Sequence, residues 1–354
     1  LSFIGVLFVI YRWRREAAES ISPTERVVGA MRAGVRYVRH DPELRAVLVR
    51  TGVFVSSASA LWAMLPLVAR QQLGLGALSY GVLLGGLGAG AILGAIMLPA
   101  ARRRVSTNAI ISCGTIVFAA ATAILATVHI FVLLCVVMIF GGIAWMALMS
   151  SFNISVQAIV PAWVRARVLA IYLLVFFGGM ALGSAVWGTV ATHTGISNAL
   201  LYAAAALIVG LAAAYFFPLR TGGELDLEPS LHWSDPIVVS EPHPQDGPVL
   251  VTVDYQIDPE RAEEFVAAMR EVKRILRRDG ATRWGLFADP AQPGRYVESF
   301  LVESWAEHMR QHARVTNEDR IAQDLVRSLH SGDSPPIVTH LIAHDFSKRD
   351  RRSS

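Results

Sequence analysis

The chain has 354 residues, of which 53% are hydrophobic and 17% charged, with a formal net charge of +4. Soluble domains carry more charge than this, so the composition excludes an ordinary water-soluble globule over much of the length. The positive balance gives no argument for nucleic acid, because the basic residues fall in short loops beside apolar runs and near the C-terminus.

The opening LSFIGVLFVI, residues 1–10, is too short to cross a bilayer, which takes about 20 helical residues. Its positive charges follow the apolar run, the reverse of a signal peptide. It is expected to be the end of a truncated transmembrane helix. Residues 11–45 read as a basic cytoplasmic connector. Ser22, Pro23, Thr24 and Glu25 form a capping box with proline in the first turn. The helix that it starts sets Val28, Met31, Val35 and Val38 on one face and Arg32, Arg36 and Arg39 on another. Such an amphipathic helix suits a membrane surface or the underside of a bundle. Asp41, Pro42 and Glu43 repeat the start signal.

Between Glu43 and Glu224 there is no carboxylate, and a stretch of that length has no ordinary water-facing surface. Six apolar segments, at 46–68, 78–100, 108–127, 130–152, 168–190 and 198–217, are each long enough to span, so 46–217 is expected to be a six-helix transmembrane bundle. The loops alternate in charge. Arg102, Arg103 and Arg104 mark one and Arg165 and Arg167 another, whereas the loop between them at His129 and the one at His193 hold no lysine or arginine. The remaining loop holds Arg70. By the positive-inside rule the connector and the C-terminal part are cytoplasmic.

Residues 218–248 turn abruptly to proline, glycine and acids, and read as a linker. Residues 249–346 read as a soluble domain. Val251, Val253, Tyr255 and Ile257 alternate with Thr252, Asp254 and Gln256, as in a strand. Asp258 and Pro259 start a helix with Phe265, Met269, Val272 and Leu276 on its buried stripe. Two further strands flank DPAQPG, Ser304 and Glu307 cap another helix, and PIVTHLIAHD is a last strand. The order β-α-β-β-α-β is the ferredoxin-like arrangement. Residues 347–354 are a basic tail. The fold class expected is thus an all-α polytopic membrane bundle with a C-terminal α+β domain.

Small residues four apart let helices approach closely in lipid. Gly86, Gly90, Gly94, Gly179 and Gly183 form such stripes. They are read here as an interface with a second bundle; packing within this bundle is the plainer alternative. Trp145, Met149, Asn153 and Gln157 share a helix face, and Trp62 and Trp187 are further intramembrane aromatics. A polar amide at depth faces the protein interior or a wet cavity, so this set is a candidate wall for a bulky, amphipathic or aromatic molecule. No aspartate, glutamate or histidine lies at membrane depth except His129 and His193, which read as outer-loop residues. Cys113 and Cys135 have no metal-ligand spacing and are expected to be buried, inert thiols. His308 and His312 lie four apart, but two ligands are too few for zinc, and surface histidines are expected, with no metal and no cofactor. Trp284, Tyr296, His340 and His344 are read as aromatic packing in preference to a cavity lining.

With the six spans, the PxxxRxR pattern from Pro161 to Arg167 and the tail domain in place, the chain resembles the C-terminal half of a major facilitator superfamily transporter. The branch is that of the transmembrane secretion effectors, which includes the enterobactin exporter. The stretch DGATRWGLFADPAQPGRYVESFLVESWAEHMRQHARVTNED resembles the soluble tail of many bacterial members and the dimeric α+β barrels of the antibiotic-biosynthesis monooxygenase type. The resemblance implies twelve spans in two halves, so that residues 1–10 end span six and the N-terminal half is absent. It further implies a secondary active transporter of the bacterial inner membrane, an exporter of small molecules by alternating access, with Arg102 to Arg104, Arg165 and Arg167 in its gating loops. A homodimer through the tail would follow. The segment GAIMLPAARRRVST keeps the basic triad of the family's loop signature and lacks its aspartate. Two other readings give the C-terminal domain the function: a membrane-tethered monooxygenase-like enzyme, or a small-molecule sensor.

Overall fold

The computed structural model describes residues 5, 9, 11–12, 27–74, 76–212, 216–217 and 225–344. Most of 1–10, the capping box at Ser22 to Glu25 and the basic tail lie outside the described residues. Asp41 separates the first two elements, α1 (Val27–His40) and α2 (Pro42–Leu67). Its carboxylate accepts from the Leu44 amide at 2.8 Å, and Pro42 occupies the first turn, where its missing N–H is not needed.

The two faces of α1 are used differently. Met31 and Val35 are 66% and 59% exposed, whereas Ala33, Gly34 and Tyr37 are buried. The reason is steric: a Cβ on Gly34 would meet the Arg167 Cβ at 3.0 Å, so glycine lets α1 approach its neighbour. Met31 and Val35 of the expected stripe therefore point outward, whereas Val38 packs against the bundle core.

Pro66 lies inside α2, and the helix continues as a π-helical turn, Val68–Gln72. Then follow α3 (Ala77–Arg102), α4 (Thr107–Thr127), α5 (Phe131–Ala158), α6 (Ala162–Thr194) and α7 (Ile196–Gly210). Among the described residues five helices, Pro42–Gln72 and α3 to α6, are long and apolar enough to cross a membrane. Helix α7, at the expected sixth span, has 15 described residues, short of the roughly 20 that a crossing takes.

Lipid provides no hydrophobic drive between helices, so close backbone packing has to hold them. The tightest example joins α3 to α5. A Cβ on Gly90 would lie 2.0 Å from the Ile139 carbonyl oxygen, and one on Gly142 would lie 2.0 Å from that of Leu87. The centre is filled by Leu61, Phe118, Leu125 and Met138, all buried. In contrast, only 17% of the apolar stretch of α6 and 28% of that of α3 are buried, so both present open apolar faces. Cys113 is exposed on α4 and Cys135 half-buried, so the expectation of two buried thiols fails for Cys113, which points out from the apolar bundle.

The tail consists of β1 (Val249–Gln256), α8 (Ala262–Asp279), β2 (Arg283–Ala288), β3 (Arg295–Val302), α9 (Trp305–Arg314), α10 (Asn317–Ser328) and β4 (Ile337–Ile342). Its sheet is antiparallel throughout, in the order β2-β3-β1-β4. Val251 pairs with Phe300 and His340, and Val253 pairs with Glu298 and Val338. This register puts Glu298 and His340 on the sheet face that the helices cover. Residues 225–248 run along the domain as a strap. The Ser230 amide donates to the Val315 carbonyl at 2.9 Å, and the Ala306 amide to that of Pro244 at 2.9 Å.

Candidate functional site

In the bundle the structure brings part of the predicted set together. The Trp62 and Trp145 rings are 5.2 Å apart, and Phe54, Phe118 and Phe176 complete an aromatic cluster around Trp145, with centroids 5.7–6.3 Å away. Met149 is half-buried below it. Further along α5 the Gln157 amide donates to Asn153 Oδ1 at 2.5 Å, and Gln157 is exposed. Trp187 stands apart: its indole N–H donates to the Ser56 carbonyl at 2.8 Å and fastens α6 to α2.

The five predicted interface glycines meet helices of this same bundle. Gly86, Gly90 and Gly94 face the α5 backbone at Cys135, Ile139 and Ile143, and Gly179 and Gly183 face Val55 and Ser56 of α2. The reading of them as contacts to a second bundle is corrected on that ground. Gly81, Gly85 and Gly88 of α3 and Gly178 and Gly188 of α6 have no neighbour where a Cβ would stand.

The arginines of the predicted gating loops share one end of the bundle. Arg102 donates to Ser150 Oγ at 3.1 Å, Arg165 reaches the Val160 carbonyl at 3.3 Å, and Arg103 and Arg104 are exposed. Sequence reading passed over Arg50, which is 5% exposed inside α2 and donates to Asn108 Oδ1 at 2.6 Å. Its signal was a lone cation in an apolar run. A void of about 20 Å³ lies beside it, room for no more than a water.

The tail docks on the same end. Arg36 of α1 donates to Glu307 at 3.0 Å and to the Arg278 carbonyl at 3.2 Å. Glu307 also accepts from Arg310 at 2.9 Å and Arg314 at 2.7 Å. Burial alone would raise the Glu307 carboxyl, but Arg314 and Arg36 hold it below its usual range. Arg314 lies 4.5 Å from the centre of the Trp163 ring at the start of α6, and Arg278 lies 5.1 Å from that of Tyr37. Arg278 is held in turn by Asp279 at 2.9 Å and Asp319 at 2.6 Å. Buried charges persist only when they are paired and hydrogen-bonded in this way. Alternation patterns in the sequence cannot show such a network, because its members come from α1, α6, α8, α9 and α10.

Inside the tail, a cavity of about 670 Å³ lies between the sheet, the helices and the strap. Here the expectation of surface histidines fails. His308 is 1% exposed and lines the cavity with His312 and His340, the His308 ring lying 4.9 Å and 4.8 Å from theirs. Burial, aided by the neighbouring imidazoles, pulls His308 down to about 3 and His312 to about 4, so both are neutral at neutral pH. The ring packing explains the error, since α9 turns its His308–His312 face inward. Glu298, 2% exposed, also lines the cavity. Burial pushes its carboxyl up to about 7, although it accepts from Trp284 Nε1 at 2.7 Å and from the Tyr255 hydroxyl at 3.2 Å. Of the four aromatics read as packing, His340 lines the cavity, Trp284 holds Glu298 and Tyr296 packs on Phe265 at 5.3 Å. Among the described residues no cluster has the geometry of a metal site.

A family model, the transmembrane secretion effector, matches residues 1–348, and the chain belongs to that family. It is accordingly a multi-pass membrane transporter. No curated protein matches the chain. Among solved structures, a Caulobacter crescentus CB15 protein described as an antibiotic biosynthesis monooxygenase is similar at 17% identity, covering 28% of this chain and 93% of its own, with a TM-score of 0.26. A conserved protein of Methanosarcina mazei Go1 is similar at 16% identity, covering 26% and 89%, with a TM-score of 0.23.

Proposed function

We propose that this transmembrane secretion effector is an exporter of small amphipathic or aromatic molecules in a bacterial inner membrane, working by alternating access. The observation that carries the reading is the graded wall on α5. The Trp62–Trp145 aromatic cluster leads through Met149 to the Asn153–Gln157 amide pair at the arginine-bearing end. An amide pair with Asn153 half-buried and Gln157 exposed is costly against lipid tails and favourable in a wet path between two bundles. The open faces of α3 and α6, with unfilled space over Gly81, Gly85 and Gly178, support a second six-helix bundle rocking against this one. The arginines at the docking end support a cytoplasmic tail, and the strand order supports a ferredoxin-like domain there.

The test is aqueous access. In the native protein in cells, with Cys113 and Cys135 replaced by serine, Asn153→Cys is labelled by a membrane-impermeant maleimide once the cytoplasmic face is opened. A transported aromatic molecule slows that labelling. An Asn153→Cys variant that only lipid-soluble maleimides reach would contradict a wet path.

A further inference from the structure

The tail cavity is lined by residues of the tail and its strap, and its walls describe an occupant. Val251, Phe300, Val326 and Trp233 supply apolar and aromatic surface, which suits a bulky ring-containing molecule. Three of the lining side chains carry formal charge: Glu298 inside, and Asp235 and Arg327. Asp235 and Arg327 are both exposed, so their charges are shared with solvent and Glu298 is the buried one. The buried histidines add no positive charge at neutral pH. His308 Nε2 and the Gln323 amide nitrogen are buried without a hydrogen-bond partner, whereas buried polar atoms normally have one. Gln323 Oε1 is already engaged, by Trp233 Nε1 at 2.7 Å and His232 Nε2 at 2.8 Å, which ties the strap over the cavity.

We infer that this cavity is a binding site for a bulky aromatic organic cation, with Glu298 as its counter-charge and the strap residues His232 and Trp233 closing over it. A carboxylate in an apolar, aromatic chamber attracts a cation far more strongly than one in water, and the ring faces add cation–π attraction. A hydrophobic anion of the same shape meets that carboxylate without a compensating charge. The site also has a route to the bundle. Helix α9 turns His308 and His312 to the cavity, while Glu307 and Arg314 of the same helix hold Arg36 and Trp163. An occupant that shifts α9 shifts the docking contacts with it. The inference rests on the export reading in taking the ligand to be of the exported kind.

The experiment uses the full protein in lipid nanodiscs and a matched pair of probes, tetraphenylphosphonium and tetraphenylborate, with empty nanodiscs as the partition reference. Hydrogen exchange at 232–237 and 308–312 reads the tail site apart from the membrane. Tetraphenylphosphonium should slow exchange in both segments and tetraphenylborate should not. Glu298→Gln should weaken the cation effect at least tenfold, and Val253→Phe, which fills the cavity from β1, should remove it. Equal protection by both probes, none by the cation, or protection unchanged in both variants would overturn the inference. Flux of the same cation in proteoliposomes separates the two readings. Flux without tail protection removes only this inference, and tail protection without flux removes only the export reading.

Discussion

Replacing Glu307 by glutamine tests whether the buried ionic network fixes the tail to the bundle. The carboxylate accepts from Arg314 at 2.7 Å, Arg310 at 2.9 Å and Arg36 at 3.0 Å. Its side chain is 9% exposed and that of Arg314 is 4% exposed, so solvent cannot replace the lost charge. Removing one partner of such a pair strands the other and costs about 3 kcal/mol or more. For a domain of this size each kcal/mol moves the melting temperature by about 4–8 °C, so the tail transition should fall by about 12 °C or more. Arg36→Met should cost less, about 1 kcal/mol, because Arg36 is 21% exposed and its buried partner Glu307 still has Arg310 and Arg314. It should still raise hydrogen exchange along α1. The acid limb provides a second reading. The arginines hold the Glu307 carboxyl below its unfolded value, so its contribution is full above the ordinary carboxylate range and is lost as pH falls below it. Calorimetry of the full chain in nanodiscs should therefore show a flatter acid limb in Glu307→Gln. A tail transition that moves by less than a few degrees would show that Glu307 does not hold the tail through a buried ionic network.

The glycines offer a contrast within one helix. Gly90→Ala forces a Cβ into the Ile139 carbonyl, and overpacking of this kind should destabilise the bundle by about 1–3 kcal/mol; Gly85→Ala, which meets open space in this bundle, should leave its melting unchanged and impair transport alone. Glu298→Gln should change how tail stability depends on pH. Burial raises the native carboxyl to about 7, so ionisation costs stability progressively from the unfolded value up to there, about 3 kcal/mol in all. The glutamine variant should thus gain on the wild type between about pH 4.5 and pH 7, with the histidine contributions cancelling in the difference; a constant difference would count against a buried, ionising Glu298. His308 and His312 act in the opposite sense. Their native values lie below the unfolded one, so the tail should lose stability as pH falls from about 6.5, and His308→Gln should reduce that loss in acid melting curves. Asn108→Leu removes the partner of buried Arg50 and should lower bundle stability by about 1–3 kcal/mol by thermal unfolding.

What the sequence disclosed is what periodicity and charge encode. The carboxylate-free stretch from Glu43 to Glu224 announced the membrane bundle, and the alternation of Val251, Val253 and Tyr255 announced β1 and its buried face. The Asp41 cap and the Ser304 cap were legible because each is a local hydrogen bond, to Leu44 and Glu307. Partnership across distance was not legible. Glycine spacing shows that a face is small but not which helix fills it, and so Gly90 meets Ile139 of α5. The stripe of α1 left two surfaces open, a membrane or a bundle, and periodicity alone does not choose between them for the exposed Met31 and Val35. The cavity was hidden because strands β1, β3 and β4, helices α8 to α10 and the strap each give it only a few residues. Glu298 in particular reads as one polar residue in an alternating strand until the register turns it inward.

Transport itself is read most plainly as flux. Native protein purified from membranes is reconstituted in proteoliposomes, and efflux of a fluorescent aromatic amphiphile is followed against protein-free vesicles. The account predicts saturable flux that Trp145→Ala reduces at least tenfold, while the tail stays folded. Flux equal to that of empty vesicles, or flux indifferent to Trp145 and Trp62, would contradict it.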